Sequence, residues 1–330
     1  MVIDFMKKKL SVLALVLALA LTACASAPEG GGRFPAQNIN GVVQWGAGGG
    51  TDSLMRPLSG LAEKRLGTSI VIQNMTGATG SVATQSVYDA PADGYHLLMG
   101  AENPALYDVL GISDLTYGDF ACVYLIGDEV TGIAVDHASP YSDFTSLIEA
   151  AKANPGAIRL STTGTGGLPW EVGAFITDVT GAEFNQIPYD SDASARNAVL
   201  NGECDFTVCK VQSGIEDYRA GNLRFLCLFS DEPVAILSDV PPVTREYPDF
   251  QRYLPWGPFY GVFVRKDTDS SVVETLSAAF SEAGRDEDYQ ELLRNYHVNF
   301  LGLTGDEAAS YINDWREHTV NALKSSGAVS

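Results

Sequence analysis

The sequence predicts an α/β fold in two domains, and three observations carry that prediction. Short apolar runs alternate with stretches whose apolar residues recur at helical spacing. A strand, a glycine-rich turn and a helix follow one another in three places. The length, 330 residues, exceeds what one hydrophobic core usually organises. Largely parallel strands are expected from the alternation.

Asn40–Trp45 reads as the first strand, running into the loop Gly46-Ala47-Gly48-Gly49-Gly50-Thr51-Asp52. The helix after it carries Leu54, Leu58, Leu61, Ala62 and Leu66 on one face, and Gly67 stops it. Pro57 predicts an irregular first turn or a kink. Ser69–Gln73 is the next strand, then the loop Thr76-Gly77-Ala78-Thr79-Gly80 and a helix to Ala90. Tyr95–Gly100, Cys122–Ile126 and Gly132–Val135 read as further strands. Ser142 is the expected cap of a helix ended by Asn154-Pro155-Gly156. Ile158–Ser161 leads into the third glycine loop, 162–167, and a helix bearing Val172, Phe175, Ile176 and Val179. Strands at Phe184–Pro188, Phe206–Val211 and Leu223–Phe229 alternate with helices near 192–201 and 214–220. Phe259–Arg265 is the last expected strand. Helices near 271–283, 286–296 and 304–324 close the chain, the last opened by a capping box at Thr304-Gly305-Asp306-Glu307.

The first 33 residues do not belong to this pattern. Lys7-Lys8-Lys9 precede an apolar run from Leu10 to Leu21 and then Thr22-Ala23-Cys24, which describes a secretory leader over 1–23. The run is too short for a standard transmembrane helix. Leu21-Thr22-Ala23-Cys24 resembles a bacterial lipobox, which would make Cys24 the lipidated first residue; an ordinary leader with an incidental cysteine is the alternative. Residues 24–33, rich in glycine, read as a tether. An exported protein, lipid-anchored and facing the periplasm or cell exterior, is the expectation.

Forty-one acidic residues against 21 basic ones give a net charge of −20. That balance argues against nucleic acid, whose phosphates need a basic face, and against an anionic membrane bound by charge alone. Export permits disulfides, yet Cys122, Cys209 and Cys227 sit in apolar strand-like runs where free thiols pack as small hydrophobes. Free thiols and one bridge involving Cys227 both remain open, with Cys204 the other mature cysteine. No CxxC occurs, and His96, His137, His297 and His318 lack ligand spacing, so no metal or cofactor is expected.

A glycine turn between strand and helix presents backbone N–H groups at the positive end of the helix dipole, a ready anion site. Gly46–Thr51 lacks the third glycine of a dinucleotide fingerprint, and no Gly-Lys pair exists for a P-loop. A mere change of chain direction explains one such loop better than three at equivalent positions, since ligands collect at the C-terminal ends of parallel strands. The residues therefore point to an exported α/β protein that holds a small anion.

Several segments then resemble one family. Trp45-Gly46-Ala47-Gly48-Gly49-Gly50-Thr51-Asp52, Ile70–Gly80, Ala92–Gly100, Ala153-Asn154-Pro155-Gly156, Ile187-Pro188-Tyr189, Ala220–Arg224 and Asp239–Val243 are similar, in order and spacing, to motifs of the solute receptors of tripartite tricarboxylate transporters. The resemblance runs from about residue 36 to the C-terminus. It implies a type II periplasmic-binding-protein fold: two α/β lobes on crossing strands, closing on a small organic acid. The first lobe would be 34–130 plus 257–330 and the second 131–256, with crossings near Thr131–Val135 and Trp256–Gly261. The family's grip on a carboxylate carries over to Trp45, Ala47, Gly48, Gly49, Thr51 and Asp52 of the first loop, and to Thr162, Thr163, Gly164, Thr165 and Gly166 of the second lobe. The implied partners are the membrane subunits of such a transporter; a monomer is expected.

This chain departs from the family pattern at Gly167-Leu168-Pro169-Trp170, which loses hydroxyls and a histidine, and at Asp190-Ser191-Asp192 after Tyr189. Trp170, Tyr189 and Trp256 would make the cleft more aromatic, unless they are core residues. Lys210 would reach a second ligand carboxylate or lie on the surface. Ala101-Glu102-Asn103-Pro104 does not align. No Gly-x-Ser-x-Gly, Ser-x-x-Lys or His-Glu-x-x-His motif occurs, so catalysis is not expected. A sensing or scaffolding lipoprotein of the same fold is the rival to a transport receptor.

Overall fold

In the computed structural model, residues 34–234 and 237–330 are described. Cys24, the leader and the tether lie outside them. The strands are β1 (Ile39–Val43), β2 (Ile70–Asn74), β3 (His96–Ala101), β4 (Phe120–Glu129), β5 (Thr131–Asp136), β6 (Arg159–Thr162), β7 (Asn185–Pro188), β8 (Phe206–Lys210), β9 (Leu223–Leu228), β10 (Phe259–Arg265) and β11 (Val298–Leu303). They form two sheets. One has the order β11-β4-β10-β3-β1-β2 and the other β7-β6-β8-β5-β9.

The expectation of largely parallel strands needs correction. β1 pairs in parallel with β2 and β3, whereas β10 is antiparallel to both of its neighbours and β11 is antiparallel to β4. In the second sheet β6 is parallel to β7 and β8, and β5 is antiparallel to β8 and β9. Each sheet thus joins a parallel βαβ half to antiparallel strands, of which β10 in the first sheet and β5 in the second arrive directly from the other sheet. The parallel halves keep the C-terminal strand ends, and the loops that follow them, on one edge.

Most expected elements form near their expected bounds. The helix Gly50–Leu66 runs through Pro57 as one element and ends at Gly67 with φ 69°. Asp143, not Ser142, caps the helix Phe144–Ala153, accepting from the Ser146 amide at 2.7 Å. Thr304 precedes the helix Gly305–Ser325 but makes no side-chain cap. β11 lies where no strand was expected.

Between the sheets the chain crosses at Val130, from β4 into β5, and at 256–258, into β10. Aromatic packing surrounds the second crossing: Trp256 stands 5.7 Å from Phe175, 5.8 Å from Phe229 and 6.3 Å from Trp315. Its indole donates to Thr319 Oγ1 at 3.0 Å, and the Trp315 indole donates to the Gly257 carbonyl at 2.7 Å. Trp256 is therefore a core residue, 6% exposed, and does not line the cleft between the glycine loops. Cys122, Cys204, Cys209 and Cys227 are free thiols. Among the described residues no helix is long and apolar enough to cross a membrane.

Candidate functional site

The loop after β1 is tied down within its own sheet. Asp52, in the first turn of the helix, accepts from the Gly48 amide at 3.1 Å, from Asn74 Nδ2 at 2.9 Å and from Arg56 Nε at 2.9 Å. Burial pushes the Asp52 carboxyl upward, but these donors outweigh it and hold the group below the ordinary aspartate value. Asn74 also donates to the Trp45 carbonyl at 2.8 Å. Asp52 is thus a brace for Ala47, Gly48 and Gly49, and its charge is already matched.

The loop after β2 is pinned from beneath by Gln44, which is fully buried. Its amide nitrogen donates to Thr84 Oγ1 at 2.9 Å and to Tyr107 Oη at 3.2 Å, and its oxygen accepts from the Ala101 amide at 3.1 Å. Gly100 is required there, since a Cβ would meet Gln44 Oε1 at 2.1 Å. Ala78 and Thr79 hold φ of 46° and 53°, a left-handed backbone that non-glycine residues adopt at a cost of order 1–3 kcal/mol each.

The loop after β6 is held largely from across the cleft. Thr162 Oγ1 accepts from the Gly164 amide at 3.3 Å. The Thr165 carbonyl, however, accepts from Thr79 Oγ1 at 2.7 Å, and the Gly166 carbonyl from Asn103 Nδ2 at 2.8 Å. A third link joins Gln212 Nε2 to the Gly50 carbonyl at 3.3 Å.

Between these loops lies a cleft of 520 Å³ lined by Trp45, Gly77–Thr79 and Ile112 on one side and by Thr163–Thr165 and Pro188–Asp190 on the other. Of the residues expected from sequence, Trp45, Thr163, Gly164, Thr165 and Tyr189 line it. Ala47, Gly48, Gly49, Thr51, Asp52, Thr162 and Gly166 are not among its lining residues. Trp170 does not reach it; this side chain packs against the apolar core from the helix Leu168–Thr180. The loop Gly77–Thr79 was not expected to line it, although its glycine signature matched the other two and marked it equally.

Lys210 is 3% exposed. It pairs with Asp192 at 3.4 Å and lies 4.9 Å from the centroid of the Tyr260 ring. Burial depresses its ammonium, but Asp192, Glu102 and Glu129 together carry it above the ordinary lysine value. It is neither a surface lysine nor without a counter-ion. Beside it, Glu129 accepts from Tyr260 Oη and from the Gln212 amide, and burial pushes its carboxyl up to about 8. Two further carboxylates, Glu102 and Glu171, are 1% and 0% exposed. Sequence reading passed over both. Among the described residues no group of three or more His, Cys, Asp or Glu is placed to hold a metal.

Residues 54–327 match the family described as tripartite tricarboxylate transporter family receptor. The chain is similar to protein BugT of Bordetella pertussis, 26% identical over 330 residues and 98% of each chain. Its fold is similar to that of the periplasmic binding protein BugD, with a TM-score of 0.83, 24% identity, and 90% of this chain and 99% of that one covered. It is likewise similar to MatC from Rhodopseudomonas palustris with bound malate, with a TM-score of 0.78, 22% identity, and 89% and 100% covered. The two-lobed α/β fold, the ordered motifs and the family match agree: the chain belongs to the tripartite tricarboxylate transporter receptor family, a family of solute-binding receptors and not of enzymes.

Proposed function

We propose that this receptor captures a small organic carboxylate in the cleft and delivers it to the membrane subunits of a tripartite tricarboxylate-type transporter. One observation carries the reading: glycine-rich loops from both sheets meet around one 520 Å³ cleft, two of them leading directly into the helices Gly50–Leu66 and Leu168–Thr180. The first turn of a helix leaves amide donors without intrahelical partners, and the dipole favours an anion there. The indole Nε1 of Trp45 is buried without a partner and adds a side-chain donor on the cleft wall. Relatives of this fold have been seen with malate and with adipate, small dicarboxylates that suit such a volume. Neutral donors also avoid burying an uncompensated cation.

In this reading residues 34–130 with 257–330 form one lobe and 131–256 the other, and the ligand closes them about the two crossings. Native mass spectrometry of the protein purified from its own host tests the cargo. A retained small carboxylate is expected; a retained neutral sugar or a metal ion would overturn the reading. Lipid anchoring at Cys24 belongs to the same proposal. Cys24→Ser is expected to move the protein out of the membrane fraction or leave a longer precursor, and an unchanged mass and distribution would remove the anchor from the scheme.

A further inference from the structure

Where elements of the two sheets meet, buried acids outnumber buried cations. Glu102, Glu129 and Glu171 are 1%, 3% and 0% exposed, and among the described residues Lys210 is the one buried cation. A fourth acid, Asp192, already engages Lys210 at 3.4 Å. A carboxylate taken out of water without its own cation is so costly that the group takes up a proton instead. Three further acids around one engaged cation do not all stay ionised.

Both sides of the junction supply these acids. Glu129 ends β4 of the first sheet; it accepts from Tyr260 Oη of β10 and, at 3.3 Å, from the amide of Gln212, which follows β8 of the second sheet. The Lys210 ammonium, at the end of β8, stands 4.9 Å from the centroid of that Tyr260 ring. Glu102 follows β3 of the first sheet and precedes Asn103, which donates to the Gly166 carbonyl across the cleft. Glu171 lies on the far side, in the first turn of the helix Leu168–Thr180. Glu102 Oε2 and both Glu171 carboxylate oxygens are buried without a hydrogen-bond partner. Burial pushes all three carboxyls up and outweighs the pull of Lys210; Asp192 adds to the rise at Glu102 and Glu129, and Glu102 adds to it at Glu171. Tyr107 and Tyr117 lie in the field of Glu102, and Tyr260 and Cys209 in that of Glu129; burial and these acids keep all four neutral.

We infer that closing the lobes takes up protons at Glu102, Glu129 and Glu171, so that acid favours the closed receptor and alkali opens it. This rests on the two-lobe closure proposed above and not on the identity of the cargo. When the lobes part, water reaches Glu102 and Glu171, Gln212 leaves Glu129, and the carboxyls regain their ordinary acidity and release protons. Because the closed form binds more protons than the open one, its share falls as pH rises, by up to about tenfold per pH unit for each proton taken up. For Glu129 the window runs from 4.5 to about 8. By the same linkage, a ligand that favours the closed form binds with uptake of protons.

Small-angle scattering of the full chain without ligand, from about pH 5 to about pH 9, tests it. The radius of gyration should rise with pH through a midpoint while far-ultraviolet circular dichroism stays constant. Glu129→Gln and Glu171→Gln remove the charge and keep the shape. Each should carry the compact form to higher pH, moving the midpoint up by about one unit, a tenfold shift in the closing equilibrium; either suffices should the other not fold. Lys210→Met removes the cation and should move the midpoint down. Opposite shifts separate charge from a mere loosening of the junction, which would move all three variants the same way. A radius unchanged over the whole range overturns the inference, as does a rise accompanied by loss of dichroism. A midpoint that the glutamine variants leave in place or lower overturns the assignment to these acids. No ligand enters the measurement, so a flat curve leaves the carboxylate cargo standing, and a different cargo in native mass spectrometry leaves the proton link standing.

Discussion

The loop after β1 and the loop after β6 hold equivalent places at the ends of parallel strands, yet they are secured in opposite ways. The first is braced by Asp52, Asn74 and Arg56, all from its own sheet's elements. The second has its Thr165 and Gly166 carbonyls held by Thr79 and Asn103, which belong to the other lobe. The first loop takes one bond from the far side, Gln212 to the Gly50 carbonyl, at the start of its helix; the second has the carbonyls at its tip held from there. A receptor that must signal its loaded state needs this asymmetry, because only contacts that differ between open and closed forms can bias the equilibrium.

The largest effect is expected at Gly50. A Cβ there would lie 2.6 Å from Gln212 Oε1 and 3.3 Å from Lys210 Cδ, both across the cleft. Gly50→Val should hold the lobes apart and weaken the retained carboxylate by about a hundredfold or more in calorimetry. Full affinity in that variant would mean that the cross-cleft contacts do not matter for binding.

Breaking the self-contained brace should act on stability instead. Asp52→Ala removes three hydrogen-bonded partners at once and should cost about 1–3 kcal/mol in urea unfolding. A loss confined to ligand affinity, with the unfolding midpoint unmoved, would erase the distinction between the loops. Thr79→Ala is the converse and a smaller change. It should cost about 0.5–1.5 kcal/mol of ligand affinity and raise the radius of gyration of the free protein in small-angle scattering, with little change in unfolding.

Asp52, in the braced loop, and Glu129, buried at the end of β4, predict opposite responses to pH. Asp52 is held below its ordinary value in the folded state, so its contribution is present above about pH 3.8 and is lost on acidification through its folded pKa. Glu129 is raised from 4.5 to about 8, so the folded state binds its proton more tightly than the unfolded chain does. Its contribution is complete below pH 4.5 and falls away as pH rises toward 8. Unfolding free energies of Glu129→Gln should accordingly decline less than those of the wild type between pH 5 and 8. Parallel curves over that range would remove Glu129 from the account.

Local signals made much of this legible from the sequence. Apolar runs and glycine stops marked ten of the eleven described strands; most of these bury contiguous side chains, although β2 and β7 do not. β11 escaped because Asn299 is exposed and Phe300–Leu303 are only half-buried, a pattern that pairing with β4 stabilises and periodicity does not reveal. The antiparallel entry of β10 was equally hidden, since strand direction is a property of topology. Of the residues lining the cleft, Trp45, Thr163, Gly164 and Thr165 were legible because they lie in or beside glycine turns, and Tyr189 through the family resemblance. Trp170 was misplaced for want of the helix phase, which turns its ring to the core. Glu171 was missed because an acid in a first helical turn ordinarily complements the dipole in solvent, and burial is invisible until the lobes are assembled.

The position of β10 has a consequence for how such a chain comes into being. This strand lies between β3 and β4, yet it is made only after the whole second sheet has been synthesised. Until residue 259 emerges, β4 has neither of its neighbours and β3 presents a bare edge, so the first core cannot close. A nascent chain that cannot finish its first lobe early stays extended for longer, which suits passage through an export channel and delays cooperative folding to the far side. The same interleaving leaves β3 and β4 with unpaired edges in any product truncated before residue 259, and such edges invite aggregation.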